Sequence, residues 1–167
     1  LKQSNHPKIV LFLGSNIGNL NDSEAYDFVT RLDENLNTGD KFFLGVDLIK
    51  PYNIVMPAYN DLSGITAKFN LNLLERINRE LEANFNLNLF EHIPEYTEEE
   101  GIAKSFLVSK INQEITIKSI NKTFYFTKGE QIHTEISRKY NDVILQNIFS
   151  KTNFKVIKKL TDSKNYF

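Results

Sequence analysis

The 167-residue sequence contains no cysteine and no tryptophan, and its net charge is only −1. The absence of cysteine excludes disulfides, thiolate nucleophiles and cysteine-ligated zinc. No stretch of about 18 apolar residues occurs, so no segment is expected to span a membrane, and residues 1–7 do not resemble a signal peptide. A near-neutral protein has no electrostatic reason to bind nucleic acid or anionic lipid. We therefore expect a cytoplasmic protein without nucleic-acid or membrane partners.

The spacing that a metal site requires is also missing. The histidines, His6, His92 and His133, are scattered, and no H-x-x-x-H pattern or facial triad of ligands occurs. A metal site is therefore not predicted. The acidic run at 98–100 precedes Gly101, which is more typical of a solvated hairpin turn than of a catalytic cluster.

The first fifty residues carry the pattern of a strand, a helix and a second strand. Apolar residues make up 41% of the chain, enough for the core of one domain. Residues 9–13 form a continuous apolar run that ends at Gly14, which predicts a parallel strand buried on both faces. An amphipathic helix over about 22–36 and a second buried strand over 42–48 follow. This order predicts a βαβ unit and therefore an α/β fold with a parallel sheet.

The pattern changes after Pro51. A short helix over 54–59 and a long helix over 66–84 are followed by several strand signals between residues 92 and 126. This segment predicts an α+β insertion or subdomain, and the phenylalanines expected in its core are Phe69, Phe85 and Phe90.

The last segment predicts a return to the α/β core. A helix is expected over 141–153 and a final strand over 154–160. The predicted organisation of the chain is therefore three segments: 1–50, 51–130 and 131–167.

A glycine-containing turn, residues 14–19, follows the first predicted strand. Ligands of open α/β sheets bind beyond the carboxyl ends of the strands, and glycine lets them approach the backbone. The spacing matches neither G-x-G-x-x-G nor a P-loop, so it does not predict a nucleotide phosphate site. The amide of Asn19 can donate and accept, which suits the amine and carboxylate of an amino acid. The alternative is that Asn19 only caps a turn or helix.

Two later positions could also contact a small polar ligand. Tyr59 ends a predicted helix, and its phenol could donate to a carboxylate, although an amphipathic tyrosine at a domain seam is the commoner case. If the backbone is extended at 134–137, Glu135 and Ser137 point to the same face and suit an imidazole ring. The alternative is a helix N-terminus, with Ser137 as the capping residue.

Four ordered stretches, which together cover nearly the whole chain, resemble one family. They are LFLGSNIGN at 11–19, GVDL at 45–48, AYNDLSGITAKFNLNLLERINRELEANF at 58–85 and HTEISRKY at 133–140. The family is the histidine-specific, S-adenosylmethionine-dependent Nα-methyltransferases of the ergothioneine-pathway type. The resemblance implies an α/β fold: the C-terminal half of a Rossmann-like class I methyltransferase sheet, with an α+β substrate-binding insertion.

The same resemblance implies roles for individual residues. Asn19 would bind the α-amine and carboxylate of histidine, Tyr59 would bind the carboxylate, and Glu135 and Ser137 would contact the imidazole. Ser105 would line the pocket at a position where the family often has methionine. Asn16 stands where the family often has threonine. These two differences from the family, at Ser105 and Asn16, leave open which substrate is preferred and how many methyl groups are added.

Cofactor binding and catalysis are implied in the same way. Gly14 and Ser15 would lie where S-adenosylmethionine and the transferred methyl approach. The amine would attack the methyl directly by in-line displacement, without a covalent enzyme intermediate, so no residue of the chain is expected to act as a catalytic group. The family's main cofactor loop would precede Leu1. We therefore expect the missing N-terminal half of the same protein as a partner, and an inactive chain without it.

Two other functions remain open. The chain could be a non-catalytic amino-acid-binding or regulatory module, or it could belong to a methyltransferase of another small amine. The histidine enzyme is favoured because the contact positions are chemically suitable for that substrate.

Overall fold

The computed structural model describes residues 6–167, which have a mixed α/β architecture. In chain order the strands and helices are β1 (Ile9–Phe12), α1 (Asp22–Asn35), β2 (Lys41–Leu44), α2 (Tyr52–Tyr59), α3 (Ile65–Leu81), β3 (Phe90–Thr97), β4 (Ile102–Ser109), β5 (Gln113–Ile117), β6 (Lys122–Phe126), β7 (Gln131–Arg138) and α4 (Asp142–Phe149). Short 3₁₀ helices lie at Asn16–Asn19, Leu87–Leu89 and Lys118–Ile120.

The described chain packs as two compact units. Unit 1 contains the chain up to Lys50, the turn Glu98–Ile102 and the segment Ile136–Phe167. Unit 2 contains Pro51–Thr97 and Ala103–Glu135. These units describe which parts of the chain pack together, and the three functional segments named above stay a prediction.

Unit 1 contains the predicted βαβ unit. β1 and β2 pair in parallel, with Val10 opposite Phe42, as the spacing of the two apolar runs predicts. α1 begins with a capping box, in which Asn21 accepts from the Glu24 amide and Glu24 accepts from the Asn21 amide. Its inner face packs into a core whose buried members are Ile17, Ala25, Val29, Tyr140 and Ile148.

The β1–β2 pair buries only one face. Phe12 and Phe42 pack on the core of unit 1, whereas Ile9 is 69% exposed and Leu11 is 62% exposed. Leu13 and Phe43 are also exposed. The prediction of burial on both faces is therefore wrong for the described residues. A continuous apolar run shows that two faces are apolar, but it cannot show what covers each of them.

Unit 2 is built on α3 and two small sheets. One sheet has the order β3-β4-β7, and β5 and β6 form an antiparallel pair. The buried members of its larger core are Leu74, Phe85, Phe90, Leu107 and Ile115. The core positions predicted for Phe85 and Phe90 are confirmed. Phe69 is 73% exposed, so its predicted core position is wrong.

An aspartate fixes the start of α3. The carboxylate of Asp61 accepts from the backbone amides of Ile65 at 2.9 Å and Thr66 at 2.8 Å. A hydrogen bond from the Ser63 hydroxyl and these amide bonds hold the pKa of Asp61 well below its usual value. These contacts satisfy amides that would otherwise lack partners at a helix N-terminus. Part of the stretch 58–85 therefore has a structural role.

The predicted final strand is wrong. Residues 154–160 are not a strand, and Val156 and Ile157 are exposed. Phe154 is held instead by aromatic contacts with Phe42 and Phe149, with ring centroids 5.6 and 5.7 Å apart. Apolar and β-branched residues favour a strand only where a neighbouring strand can pair with them.

Candidate functional site

The turn after β1 has a backbone suited to close approach by a ligand. Gly14 (φ 74°) and Ser15 (φ 57°) both have left-handed conformations, which are costly for serine and often occur at functional sites. The Ser15 hydroxyl accepts from the Asp47 amide at 2.8 Å. The Gly45 amide donates to the Phe12 carbonyl at 2.9 Å. The turn therefore lies at the carboxyl ends of two parallel strands, where α/β proteins bind ligands.

Asn19 ends the 3₁₀ helix that follows this turn. Its base is rigid, because Ile17 and Gly18 are buried and the Tyr140 hydroxyl donates to the Ile17 carbonyl at 3.0 Å. Asn19 itself is exposed and makes no side-chain hydrogen bond with another residue in the described range. The structure therefore presents Asn19 on a fixed support, with its amide available to a ligand.

The support of Asn19 leaves no room for a side chain at Gly18. A Cβ there would lie 2.7 Å from the Arg138 carbonyl oxygen. We expect Gly18→Ala to destabilise the protein by about 1–3 kcal/mol, because backbone must move to relieve the overlap. The measurement is the free energy of unfolding in urea.

Gly45→Ala is the matched control for Gly18→Ala. A Cβ at Gly45 meets Leu13 and Gly14 at 3.5–3.6 Å, which is ordinary van der Waals contact. Its stability should stay within about 1 kcal/mol of the parent. Equal losses in the two variants would contradict tight packing of Gly18 on Arg138.

Glu135 and Ser137 lie in β7, so the extended conformation that one interpretation required is confirmed. The capping alternative is wrong, because Asn141 caps α4 and its side chain accepts from the Ile144 amide at 2.9 Å. Both side chains are half-buried. Their binding role stays a prediction.

Ser137 belongs to a charged cluster in unit 1. Lys139 Nζ donates to the Ser137 hydroxyl at 2.7 Å and lies 2.9 Å from the Asp47 carboxylate. Lys50 donates to the other oxygen of Asp47. Because the Asp47 amide also holds Ser15, the structure joins two predicted site residues, Ser15 and Ser137, through one aspartate. Asp47 and Lys139 lie within the stretches 45–48 and 133–140, but the sequence pattern predicts no role for either residue.

Ser105 lies in a buried polar cluster of unit 2. It is completely buried, and its hydroxyl has no hydrogen-bond partner among residues 6–167. The Thr134 hydroxyl lies 3.0 Å from the Ser105 carbonyl and 2.6 Å from the Asn70 side-chain oxygen. An unpaired buried hydroxyl is costly, and such groups are rare in folded proteins. The sequence pattern does not indicate a site role for Asn70 or Thr134.

Tyr59 is the last residue of α2 and is half-buried. Its ring packs on the small core formed by Val55, Met56, Tyr96 and Ala103. This packing fits an amphipathic tyrosine, and it leaves the predicted carboxylate contact as a prediction.

Neither a metal-ligand cluster nor a membrane-spanning helix occurs within residues 6–167. No three histidine, aspartate or glutamate side chains there are grouped as metal ligands. None of the helices in this range is long and apolar enough to cross a membrane.

The parallel β1–β2 pair and the open turn at its end are consistent with a methyltransferase-like α/β fold. Residues 1–167 match the family described as histidine-specific methyltransferase, SAM-dependent. The chain belongs to this family of S-adenosylmethionine-dependent enzymes.

Three similar proteins have names that agree with this family. The chain is 37% identical over 133 residues to histidine N-alpha-methyltransferase of Mycolicibacterium smegmatis, covering 80% of this chain and 41% of that protein. The same values hold for the protein of that name from Mycobacterium tuberculosis. Ergothioneine biosynthesis protein 1 of Schizosaccharomyces pombe is 30% identical over 151 residues, covering 90% of this chain and 19% of that protein. The matched part of this chain covers less than half the length of each of these relatives.

Proposed function

We propose that the chain supplies substrate-binding residues of an enzyme that methylates the α-amine of L-histidine with S-adenosylmethionine. The observation that carries the proposal is the cluster in which Asp47 joins Ser15 to Ser137. It links the proposed cofactor turn to a proposed substrate contact. The names of the relatives support histidine as the substrate.

Each proposed substrate contact has a chemical reason. The exposed amide of Asn19 donates to the carboxylate and accepts from the amine, and Tyr59 donates to the carboxylate. Glu135 accepts from the imidazole N–H, and Ser137 contacts the other nitrogen. Ser105 stays a proposed pocket residue, and its hydroxyl is completely buried without a partner among residues 6–167.

The residues of the β1 turn fit a bound S-adenosylmethionine. Gly14 is exposed and has no side chain, so its backbone is open to a ligand. Gly14 and Ser15 would hold the cofactor by backbone contact. When bound, S-adenosylmethionine supplies an electrophilic methyl group.

The protein's own contribution to catalysis is then positioning. Asn19 accepts from the amine and so orients its lone pair, while the imidazole contacts fix the other end of the substrate. Orientation of this kind can lower a barrier by about 7–11 kcal/mol. No proton transfer beyond loss of the amine proton is needed.

We also propose that β1 and β2, together with α1, belong to the second half of a Rossmann-like fold. The exposed face of the β1–β2 pair would pack on another segment of the same polypeptide. The support is the exposed apolar face formed by Ile9, Leu11, Leu13 and Phe43. An exposed apolar patch of this kind usually marks an interface. The greater length of the relatives provides a candidate for the covering segment.

The test compares the 167-residue chain with a polypeptide of the relatives' length that contains it. We expect the 167 residues alone to bind S-adenosylmethionine weakly or not at all in isothermal titration, and the longer polypeptide to bind it and to form methylhistidine. Tight binding by the 167 residues would contradict the proposed location of the cofactor site. A longer polypeptide that binds histidine but never methylates it would instead be an amino-acid-binding module.

A further inference from the structure

Lys139 lies directly against the hydroxyl of Ser137. Its ammonium donates to Ser137 Oγ at 2.7 Å, and its side chain is only 5% exposed. An ammonium group has three N–H donors and no acceptor. In this contact the oxygen of Ser137 must therefore accept, and the single hydrogen of its hydroxyl must point elsewhere.

The position of Lys139 is set by the backbone as well as by charge. Leu48 and Tyr140 form a parallel bridge, in which the Tyr140 amide donates to the Asp47 carbonyl at 2.8 Å. This bridge places the Asp47 carboxylate 2.9 Å from the Lys139 ammonium. The other oxygen of Asp47 is taken by Lys50, whose ammonium also lies 3.3 Å from the Tyr166 carbonyl. Lys139 is therefore held in place from outside β7.

The hydrogen of the Ser137 hydroxyl has no acceptor among residues 6–167. On the basis of the proposed function, we propose that Lys139 is a positioning residue that fixes Ser137 as a hydrogen-bond donor, so that the site selects the neutral imidazole of histidine. Lys139 does not touch the substrate and acts only through Ser137.

The hydrogen bonds of the imidazole follow from this arrangement. Neutral imidazole has one N–H and one lone pair. The N–H is donated to Glu135, and the lone pair accepts from Ser137. An imidazolium has N–H groups on both nitrogens, so one of them would face the hydroxyl hydrogen of Ser137. The positive charge of Lys139 behind that hydroxyl further opposes a second proton on the ring.

Several other charged residues lie near Ser137 and Lys139. The Asp47 carboxylate pairs with both Lys139 and Lys50. Arg138 lies between Ser137 and Lys139 in the chain, and its guanidinium pairs with Asp22 at 3.0 Å. Glu135 is the carboxylate that β7 contributes, and it favours a protonated ring. Lys139 opposes that preference, and the balance between them is what the experiment measures.

The experiment measures kcat/KM for histidine against pH in the active enzyme. In wild type, log kcat/KM should fall more steeply below the pKa of free imidazole, near 6.5, by about one extra unit per pH unit, because the ring must be neutral. In Lys139→Met the Ser137 hydroxyl can rotate and accept, so this extra steepness should disappear. At neutral pH the variant should lose about three- to tenfold in kcat/KM. Lys139→Arg keeps a donor and a charge, and should restore both properties.

A double-mutant cycle separates this inference from the proposed function. Ser137→Ala should lower kcat/KM for histidine relative to phenylalanine, and adding Lys139→Met to it should have no further effect. If the effects of the two changes simply multiply, Lys139 is a structural residue and the inference is overturned. If Ser137→Ala leaves the preference for histidine unchanged, the proposed imidazole contact itself is wrong. If Lys139→Met fails to fold, Lys139→Gln, which keeps a neutral donor, is compared in the same cycle. A wild-type pH profile in Lys139→Gln supports the donor role of Ser137. Equal effects of Lys139→Gln in both serine backgrounds overturn the inference.

Discussion

Replacing Glu135 with alanine should remove most of the preference for histidine. The proposed contact is a hydrogen bond between the imidazole N–H and a carboxylate in β7, and loss of such a charge-assisted bond costs about tenfold to a hundredfold in affinity. Sites that hydrogen-bond a polar group strongly reject analogues without it, so phenylalanine and tryptophan should be affected little or even favoured by the vacated space. The measurement is kcat/KM for histidine, phenylalanine and tryptophan in wild type and in Glu135→Ala.

Glu114→Ala is the matched control for this prediction. Glu114 is an exposed glutamate in a strand of the same unit, so its loss removes an equal charge without touching β7. Its substrate preference should equal that of wild type. An unchanged ratio of histidine to phenylalanine in Glu135→Ala would exclude Glu135 from the imidazole site.

Asn19→Ala should lower kcat/KM for histidine by about tenfold or more. The side-chain amide is the group proposed to bind both the amine and the carboxylate, and hydrogen bonds to charged groups are individually strong. Because Asn19 is exposed and makes no side-chain hydrogen bond within residues 6–167, the substitution should not change the unfolding midpoint. A kinetic loss with unchanged stability is the expected signature.

Two variants calibrate the effect of Asn19→Ala. Asn35→Ala removes an amide that only donates to the Arg31 carbonyl at the end of α1, and should keep wild-type kinetics. Tyr59→Phe removes one neutral donor and keeps the ring, so its effect should be milder than that of Asn19→Ala. Wild-type kcat/KM in Asn19→Ala would leave Asn19 as a turn residue only.

Local patterns in the sequence predict much of the fold. The apolar spacing of α1 and the two flanking runs is enough to predict the parallel β1–β2 pair. Local patterns fail to predict the conformation of residues 154–160 and the exposure of Phe69, because in both places the outcome depends on which distant segment covers the residue. The exposed face of β1 has the same explanation.

The candidate site is harder to predict from the sequence than the fold is. The alternation of Glu135 and Ser137 can be recognised within one strand, and the structure confirms the extended conformation. The contact of Lys139 with Asp47 depends on the bridge between Leu48 and Tyr140, which are remote in the chain. Local periodicity contains no information about that pairing.

The buried hydroxyl of Tyr140 has a consequence for alkaline conditions. Methylation needs an amine without its extra proton, and amines lose that proton mostly in basic solution. Burial, and to a smaller degree the charge of Asp22, raise the pKa of Tyr140 well above its usual value near 10. The phenol therefore keeps its proton, and its bond to the Ile17 carbonyl, until the pH passes this raised pKa, whereas an unfolded chain would ionise near pH 10. By linkage, this contribution to folding stability is complete below about pH 10 and falls as the pH rises above it. The support of Asn19 is therefore intact in mildly alkaline solution, where the amine of its proposed substrate loses its proton.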